Sequence, residues 1–271
     1  MCFRTNNFIL CPEEDLDWET RKLRVLEEIV RYNPTILCME EVDQYEYLTE
    51  FLTKLGYVGV FFPKPDSPCL CQEKNSGPDG CAVFYQTKYV TLSQSNSIIL
   101  QENGRQSNQV SIIAQFCTKG DNSSTFYVGV THLKSKRGYE ETRKLQGQFI
   151  SKYLSENAND APVIFCGDFN ADPIEPCYSI MQACSLKLKS AYTSLSADGK
   201  TEPKYTTWKV RPKVEECHVI DYIWYTEKGL KIKSVLDVAT EKEIGKDRLP
   251  SSRYPSDHLS LVCDFLLVDQ K

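Results

Sequence analysis

Five apolar runs in this chain break off into acid, imidazole or amide, and that repeated pattern constrains the fold more than any other feature. Thr35–Val42 carries Glu40 and Glu41 at its end and meets Asp43; Phe126–Val130 ends at Thr131 and His132; Val163–Cys166 ends at Asp168 and Asn170. Val219–Ile220 runs into Asp221, and Ser256, Asp257 and His258 precede the apolar run that starts at Leu259. Short apolar runs bounded by turn residues read as buried strands. One acid at a strand end is ordinarily a solvated turn residue. Five such ends, holding two of the chain's three histidines, predict strand ends that converge on one polar cleft.

The intervening sequence fits that picture. Asp17 to Asn33 has a helical period, with Trp18, Leu23, Leu26, Ile29 and Val30 on one face and Pro34 stopping the run. Tyr47–Leu55 and Glu140–Leu154 read as further helices. Strands are expected at Tyr57–Phe62, Cys81–Tyr85, Ser97–Leu100, Val110–Phe116, Phe126–Leu133, Val219–Tyr225, Lys231–Asp237 and Leu259–Val268, with a long turn-rich region from Ser190 to Lys213. Trp18 and Trp224 read as core residues. Strands mixed with helices and hairpin-like pairs give an α/β class, with two mostly antiparallel sheets packed face to face and helices outside. No repeat or linker divides residues 1–271, so one domain is expected, and a 41% hydrophobic share is enough to fill its core.

Composition narrows the function. Net charge is 32 − 37 = −5, which argues against nonspecific coating of nucleic acid by a basic surface. It leaves open a phosphate-handling enzyme with a local basic cluster. No apolar run approaches the roughly 18 residues of a membrane span, and the opening residues lack a signal-peptide pattern or a basic amphipathic leader, so a cytoplasmic protein is expected, with no membrane partner. The chain has 12 cysteines but no C-x-x-C pair, and the Cys69–Cys71 spacing does not suit a zinc knuckle. Cys38, Cys166 and Cys263 sit in apolar runs, as reduced thiols would. A disulfide-bonded secreted chain is the rival reading.

A cleft of carboxylate, imidazole and amide suits a hard cation. Magnesium takes one or two carboxylates and borrows other oxygens from substrate phosphate, whereas zinc prefers His or Cys ligands. Water attack on a phosphate ester, assisted by Mg2+, is the chemistry such a site would support.

The strings MEEV, THLK, GDFN, IDYIW and SDHL, in that order over nearly the whole chain, resemble the endonuclease/exonuclease/phosphatase superfamily of magnesium-dependent phosphoesterases. That resemblance implies a two-sheet α/β sandwich with its active site at one end. FFPKPDSPC, GPDGCAVF, LSADGKTEPKYTTW, YTTWKVR and RLPSSRYPSDHLSLVCDF are similar to its deadenylase-like branch, where one member removes the 2′-phosphate of NADP and NADPH and others shorten poly(A) tails. It implies Glu41 as the metal-binding acid. Asp168 and Asn170 would orient the attacking water and hold the phosphate. His258 would contact the scissile phosphate, with Asp221 orienting its ring, and His132 would be another phosphate-side histidine. Asp257 would support the site from behind. Lys64, Lys134, Lys136 and Arg211 would bind substrate phosphates. His218 matches no motif and is taken as a loop histidine.

Three features stand apart from the family pattern. Glu40 replaces the usual Gln before the metal-binding acid and is expected to face solvent. Lys136 followed by Arg137 stands where Arg is expected, which keeps charge but loses the bidentate fork unless Arg137 supplies it. The first strand of the superfamily, ending in Asn, has no counterpart at Met1–Thr5, and Asn6 and Asn7 align poorly with it; its loss should expose apolar surface and remove a polar ligand. Trp208, Tyr205 and Phe62 lie near the cations and are candidates to stack on a base. The resulting expectation is a monomeric phosphatase acting on NADP(H) or another phosphorylated nucleotide. The alternatives are a 3′ exoribonuclease on poly(A) RNA and an inactive interaction module. Base-specific DNA repair and inositol phosphate hydrolysis share the core motifs, but TTWKVR is not expected of either.

Overall fold

The structure, a computed structural model, describes residues 8–121, 123–158 and 160–268. The expectation placed on Met1–Thr5, Asn6 and Asn7 lies outside the described residues. In chain order the elements are α1 (Glu13–Leu16), α2 (Trp18–Tyr32), β1 (Ile36–Val42), α3 (Tyr45–Lys54), β2 (Tyr57–Pro63), β3 (Gly80–Gln86), β4 (Val90–Glu102), β5 (Arg105–Thr118) and β6 (Thr125–His132). They continue with α4 (Glu140–Asn157), β7 (Val163–Asp168), α5 (Pro176–Ala183), β8 (Leu188–Ser190), β9 (Thr207–Arg211) and β10 (Val214–His218). The last are β11 (Asp221–Thr226), β12 (Leu230–Val235), α6 (Glu241–Ile244) and β13 (Cys263–Leu267).

A six-stranded sheet, β4-β5-β6-β7-β11-β8, forms the backbone of the molecule, antiparallel except for the β6/β7 pair. One face is covered by α4 and α5, where Ile150, Leu154 and Met181 pack on Phe165 and Trp224. Against the other face lie two smaller sheets. In β1-β3-β2, Cys81 and Val83 pack on Ile112 and Val130; in β12-β13, Phe265 packs on Ile223 and Tyr225. Leu26 and Ile29 of α2 and Leu48 and Leu52 of α3 close the outside of the three-stranded sheet. The α/β class and the face-to-face, mostly antiparallel packing match the sequence expectation.

Helix α2 stops where expected, for visible reasons, while α4 runs three residues past the expected Leu154 to Asn157. Asp17 caps α2 by accepting from the Glu19 amide at 2.9 Å, and Asn33 ends it in the left-handed region. Trp224 is fully buried, while Trp18 sits at half depth, edge-on to Tyr47.

Strand β4 starts at Val90 rather than Ser97, and Leu23 and Val30, expected on the apolar face of α2, are exposed; two further departures bear on the site. The region from Ser190 to Lys213 is not all turn: Thr207–Arg211 is β9, hydrogen-bonded in a hairpin to β10, so His218 closes a strand rather than lying in a loop. The strand signal was hidden because Thr207, Lys209 and Arg211 alternate toward an aqueous cleft, so the inward period is polar. The last strand begins at Cys263 instead of Leu259, because the preceding residues run along a gap.

That gap separates the two smaller sheets. Among the described residues, β1 is an edge strand paired only to β3, and β13 is an edge strand paired only to β12. Between them and the large sheet lies a cavity bordered by Ile36, Cys38, Ile164, Cys166, Cys263 and Phe265, which together with the polar cleft it runs into has a volume of about 1290 Å³. Cys38, Cys166 and Cys263 are therefore half-buried rather than sealed in a core, and their thiols form no disulfide.

Candidate active site

The cavity opens at one end into a polar cleft, and strand register explains why the acids meet there. His132 closes β6 and Asp168 closes β7, and the register sets His132 opposite Asp168. Asp168 in turn faces Asp221, the first residue of β11. Three neighbouring strands thus deliver an imidazole and two carboxylates in one row. Gly167 allows this close approach: with φ 152, a Cβ there would lie 2.0 Å from the Thr131 carbonyl oxygen.

His258 completes the row from outside the large sheet. It bridges to Thr207 of β9, and Arg21 of α2 holds the preceding loop by donating to the Pro255 carbonyl at 2.8 Å. Its Nδ1 lies 2.9 and 3.0 Å from the two oxygens of Asp221, which also accepts from the Thr206 hydroxyl at 2.5 Å. Since a carboxylate can only accept, Nδ1 carries the proton. Nε2 then points into the cleft, 3.3 Å from the Lys209 Nζ and 4.0 Å from Asp168 Oδ2. Burial alone would depress this imidazole, but the Asp221 and Asp257 carboxylates raise it to about 10. His132 goes the other way: burial pulls it down to about 4 against the pull of Asp168, so it is neutral at physiological pH.

The carboxylates divide by environment. Asp168 is raised by burial and then by Asp221; one of its oxygens accepts from the Asn170 amide at 2.7 Å. Asn170 takes a left-handed turn at φ 49 and donates its side-chain amide to the Leu133 carbonyl at 3.2 Å. Asp257 is held well below its usual range, since Lys209 at 2.6 Å and then His258 overcome the cost of burial.

Glu40 departs from the expectation that it faces solvent, whereas Glu41 stays at the cleft. Along β1, Cys38 and Glu40 face the large sheet while Leu37 and Met39 pack toward the helices. Glu40 therefore points into the cavity, not to bulk solvent, and burial followed by the fields of Asp221 and Asp168 raises it to about 8. A bulge between Met39 and Val42, with Glu41 at φ 52, turns Glu41 outward to the cleft mouth. Its carboxylate is 52% exposed and lies 3.8 Å from His132 Nδ1. That nitrogen is buried and has no hydrogen-bond partner.

Cations wall the cleft. Lys64 pairs with Asp79 at 2.6 Å, and Asp79 is braced by Ser67. Arg211 sits 3.3 Å from Glu216 and under the Phe8 ring at 5.4 Å. Lys134 lies over Tyr139 at 4.8 Å, and Lys136 and Arg137 border the same cleft. Their loop is held by a residue that sequence reasoning missed. The buried Arg143 makes two 2.9 Å hydrogen bonds to Glu175 and donates to the carbonyls of Lys134 and Lys136 at 3.1 and 2.8 Å. Lys209 was missed as well. The strand period carried a signal for it, since Arg211 facing the cleft puts Lys209 on the same side.

The stacking candidates are elsewhere. Trp208 lies on the far side of β9, where Arg248 stacks 3.9 Å over its ring and Tyr205 packs beside it. Phe62 packs against the core between the sheets. Alternation along β9 sends Trp208 away from the cleft as surely as it brings Lys209 in.

Asp168, Asp221 and His258 offer three ligand atoms within 4.8 Å of one another, the one such group among the described residues. Asp221 already holds His258 and Thr206, so this trio reads more as an acid–imidazole pair beside an acid than as a closed metal cage. Glu41, unengaged and exposed, is the open carboxylate. Buried Glu40 and Asp168, both raised by desolvation and then by the Asp221 carboxylate, crowd negative charge on the floor of the cleft. Oxygen donors crowded in this way fit a hard divalent cation.

Comparison with known proteins identifies the family and the fold. The sequence profile of the Endonuclease/Exonuclease/phosphatase family matches residues 3–258. Nocturnin from Homo sapiens is 48% identical over 268 residues, covering 98% of this chain; the chain spans 62% of that relative's length. The solved structure of the human Nocturnin catalytic domain with bound sulfate anion superposes with a TM-score of 0.83 at 44% identity, covering 93% of this chain and 88% of that one. More distant is the CCR4-Not complex 3′-5′-exoribonuclease subunit Ccr4 of Debaryomyces hansenii, 26% identical over 96% of this chain and 37% of its own.

Proposed function

The chain belongs to the endonuclease/exonuclease/phosphatase family, and on that premise we propose that it is a nocturnin-like hydrolase that uses magnesium to remove the 2′-phosphate of NADP(H). The observation that carries this reading is the His132–Asp168–Asp221 row with His258 above it, facing a wall of cations.

Asp168 and Asn170 orient the attacking water, and Asp168, whose carboxyl is raised by burial and then by Asp221, takes its proton. His258, protonated and fixed by Asp221, donates from Nε2 to a phosphoryl oxygen as charge builds there. Lys64, Lys134, Lys136, Lys209 and Arg211, all lining the cleft, hold the substrate phosphates, and neutral His132 lies 3.7 Å from Asp168. Glu41, with substrate oxygens, would hold Mg2+, whose chemistry when bound is to offset charge on the phosphoryl group.

The similarity to Ccr4, a 3′-5′-exoribonuclease subunit, supports shortening of adenine-tailed RNA as a second reading. The net charge of −5 disfavours a long RNA path. A direct competition decides: incubate the chain and magnesium with NADPH and with a labelled adenine-tailed RNA in parallel. Phosphate from NADPH with intact RNA is the expected result. A shortened RNA with untouched NADPH would favour the exoribonuclease, and neither product would favour an inactive interaction module.

A further inference from the structure

His218 belongs to none of the catalytic strings, and the proposed reaction has no use for it. Yet it is built like His258. Its Nδ1 lies 3.1 Å from Asp172 Oδ2, so a carboxylate fixes this ring as Asp221 fixes the other. Both partners are about one-third exposed, at 35% and 34%, and both border the cleft. Among the described residues, no hydrogen bond or ion pair occupies the His218 Nε2.

Register places the pair. Thr207 faces His218 on one side and His258 on the other, and directly opposed residues in antiparallel strands share a face. The two histidines therefore stand in one row, two strand spacings or about 10 Å apart. A ligand touching both must extend beyond the single phosphate being cleaved.

The chemistry of the pair selects what it can hold. A phosphate would meet the charge of Asp172. A metal would need a third ligand, and the one metal-ligating trio among the described residues is the catalytic one. A sugar hydroxyl fits: the second oxygen of Asp172 accepts a hydrogen bond, and the imidazole Nε2 beside it accepts from a hydroxyl when neutral or donates to one when charged. We propose that His218 and Asp172 form a recognition subsite for ribose hydroxyls on the part of the substrate remote from the scissile phosphate. This rests on the nucleotide-phosphatase reading and adds to it the group that sets substrate length.

The test compares NADPH with adenosine 2′,5′-bisphosphate, which lacks the second ribose, on wild type, His218→Ala, Asp172→Ala, the double variant and His218→Gln. Loss of one such hydrogen bond should raise KM for NADPH about 10-fold with kcat within about twofold. KM for the short substrate should not move, the double variant should be no worse than either single one, and Gln should recover part of the loss. Equal changes on both substrates, or none on NADPH, overturn the subsite while leaving the phosphatase reading intact. Calorimetry with both nucleotides is run alongside. NADPH binding that weakens in His218→Ala without any cleavage supports the subsite and sinks the phosphatase, whereas no NADPH binding by the wild type overturns both.

Discussion

The two banks of the cleft are held in place differently. On one, His132, Asp168 and Asp221 end neighbouring strands of the large sheet, whose residues Ile112 and Val130 are fully buried. On the other, Glu40 and Glu41 end β1, an edge strand whose Ile36 and Cys38 stay half-buried beside the cavity. The residue types are alike on both sides. What differs is a ladder partner on each flank. The acid–imidazole row is positioned by hydrogen bonds from both directions and by packing on two faces. The metal-side acids rely on one ladder and a bulge, so their placement is the softer half of the site.

The sharpest cut at the firm bank is Asp221→Asn. It should leave the fold unchanged by circular dichroism yet lower turnover about 10³- to 10⁴-fold, because His258 loses the charge that fixes and protonates it. A rate equal to wild type would remove the acid–imidazole pair from the account. Next comes Arg143→Met, which strands Glu175 and two loop carbonyls; urea unfolding should show a loss of about 3–5 kcal/mol. A loss below about 1 kcal/mol would mean that the Lys134–Lys136 loop is held by something other than Arg143.

Glu40 tests the soft bank through pH. Its raised carboxyl stabilises the folded chain fully below the unfolded value of 4.5, and that contribution is lost as pH rises through about 8. Glu40→Gln in EDTA should therefore be more stable than wild type at pH 8, on the order of 3 kcal/mol, and close to equal at pH 4.5. Equal stability at pH 8 would put Glu40 in contact with bulk water. The smallest effect compares packing directly. Ile112→Ala should cost about 2–4 kcal/mol and Ile36→Ala about 1 kcal/mol, since only the first opens a cavity in a closed core. Similar costs would erase the distinction between the banks.

The strand ends were legible in the sequence because apolar runs stop at His132 and Asp168 and another begins just after Asp221, a period that burial enforces. Helix α2 was legible to the residue, through Asp17, Asn33 and Pro34. The β9–β10 hairpin was not, since a strand that lines water carries polar residues on its inner face and mimics a turn. The same cause hid Lys209, misplaced His218 and made Trp208 look like a stacking residue. Glu40 was misread in orientation because strand alternation turns it toward the large sheet, and nothing in MEEV announces the bulge that brings Glu41 to the cleft beside it. Arg143 lay in an ordinary helical pattern, and its role depends on Glu175, far off in sequence.

The central claim is that three neighbouring strand ends and His258 assemble a site that hydrolyses a nucleotide phosphate ester. The most direct test is the time course of phosphate release from NADPH by the purified chain, in magnesium and then in EDTA, with Asp168→Ala alongside. Steady release that stops in EDTA and is absent in the variant is the predicted result. Release that persists in Asp168→Ala, or none from the wild type in magnesium, would contradict it.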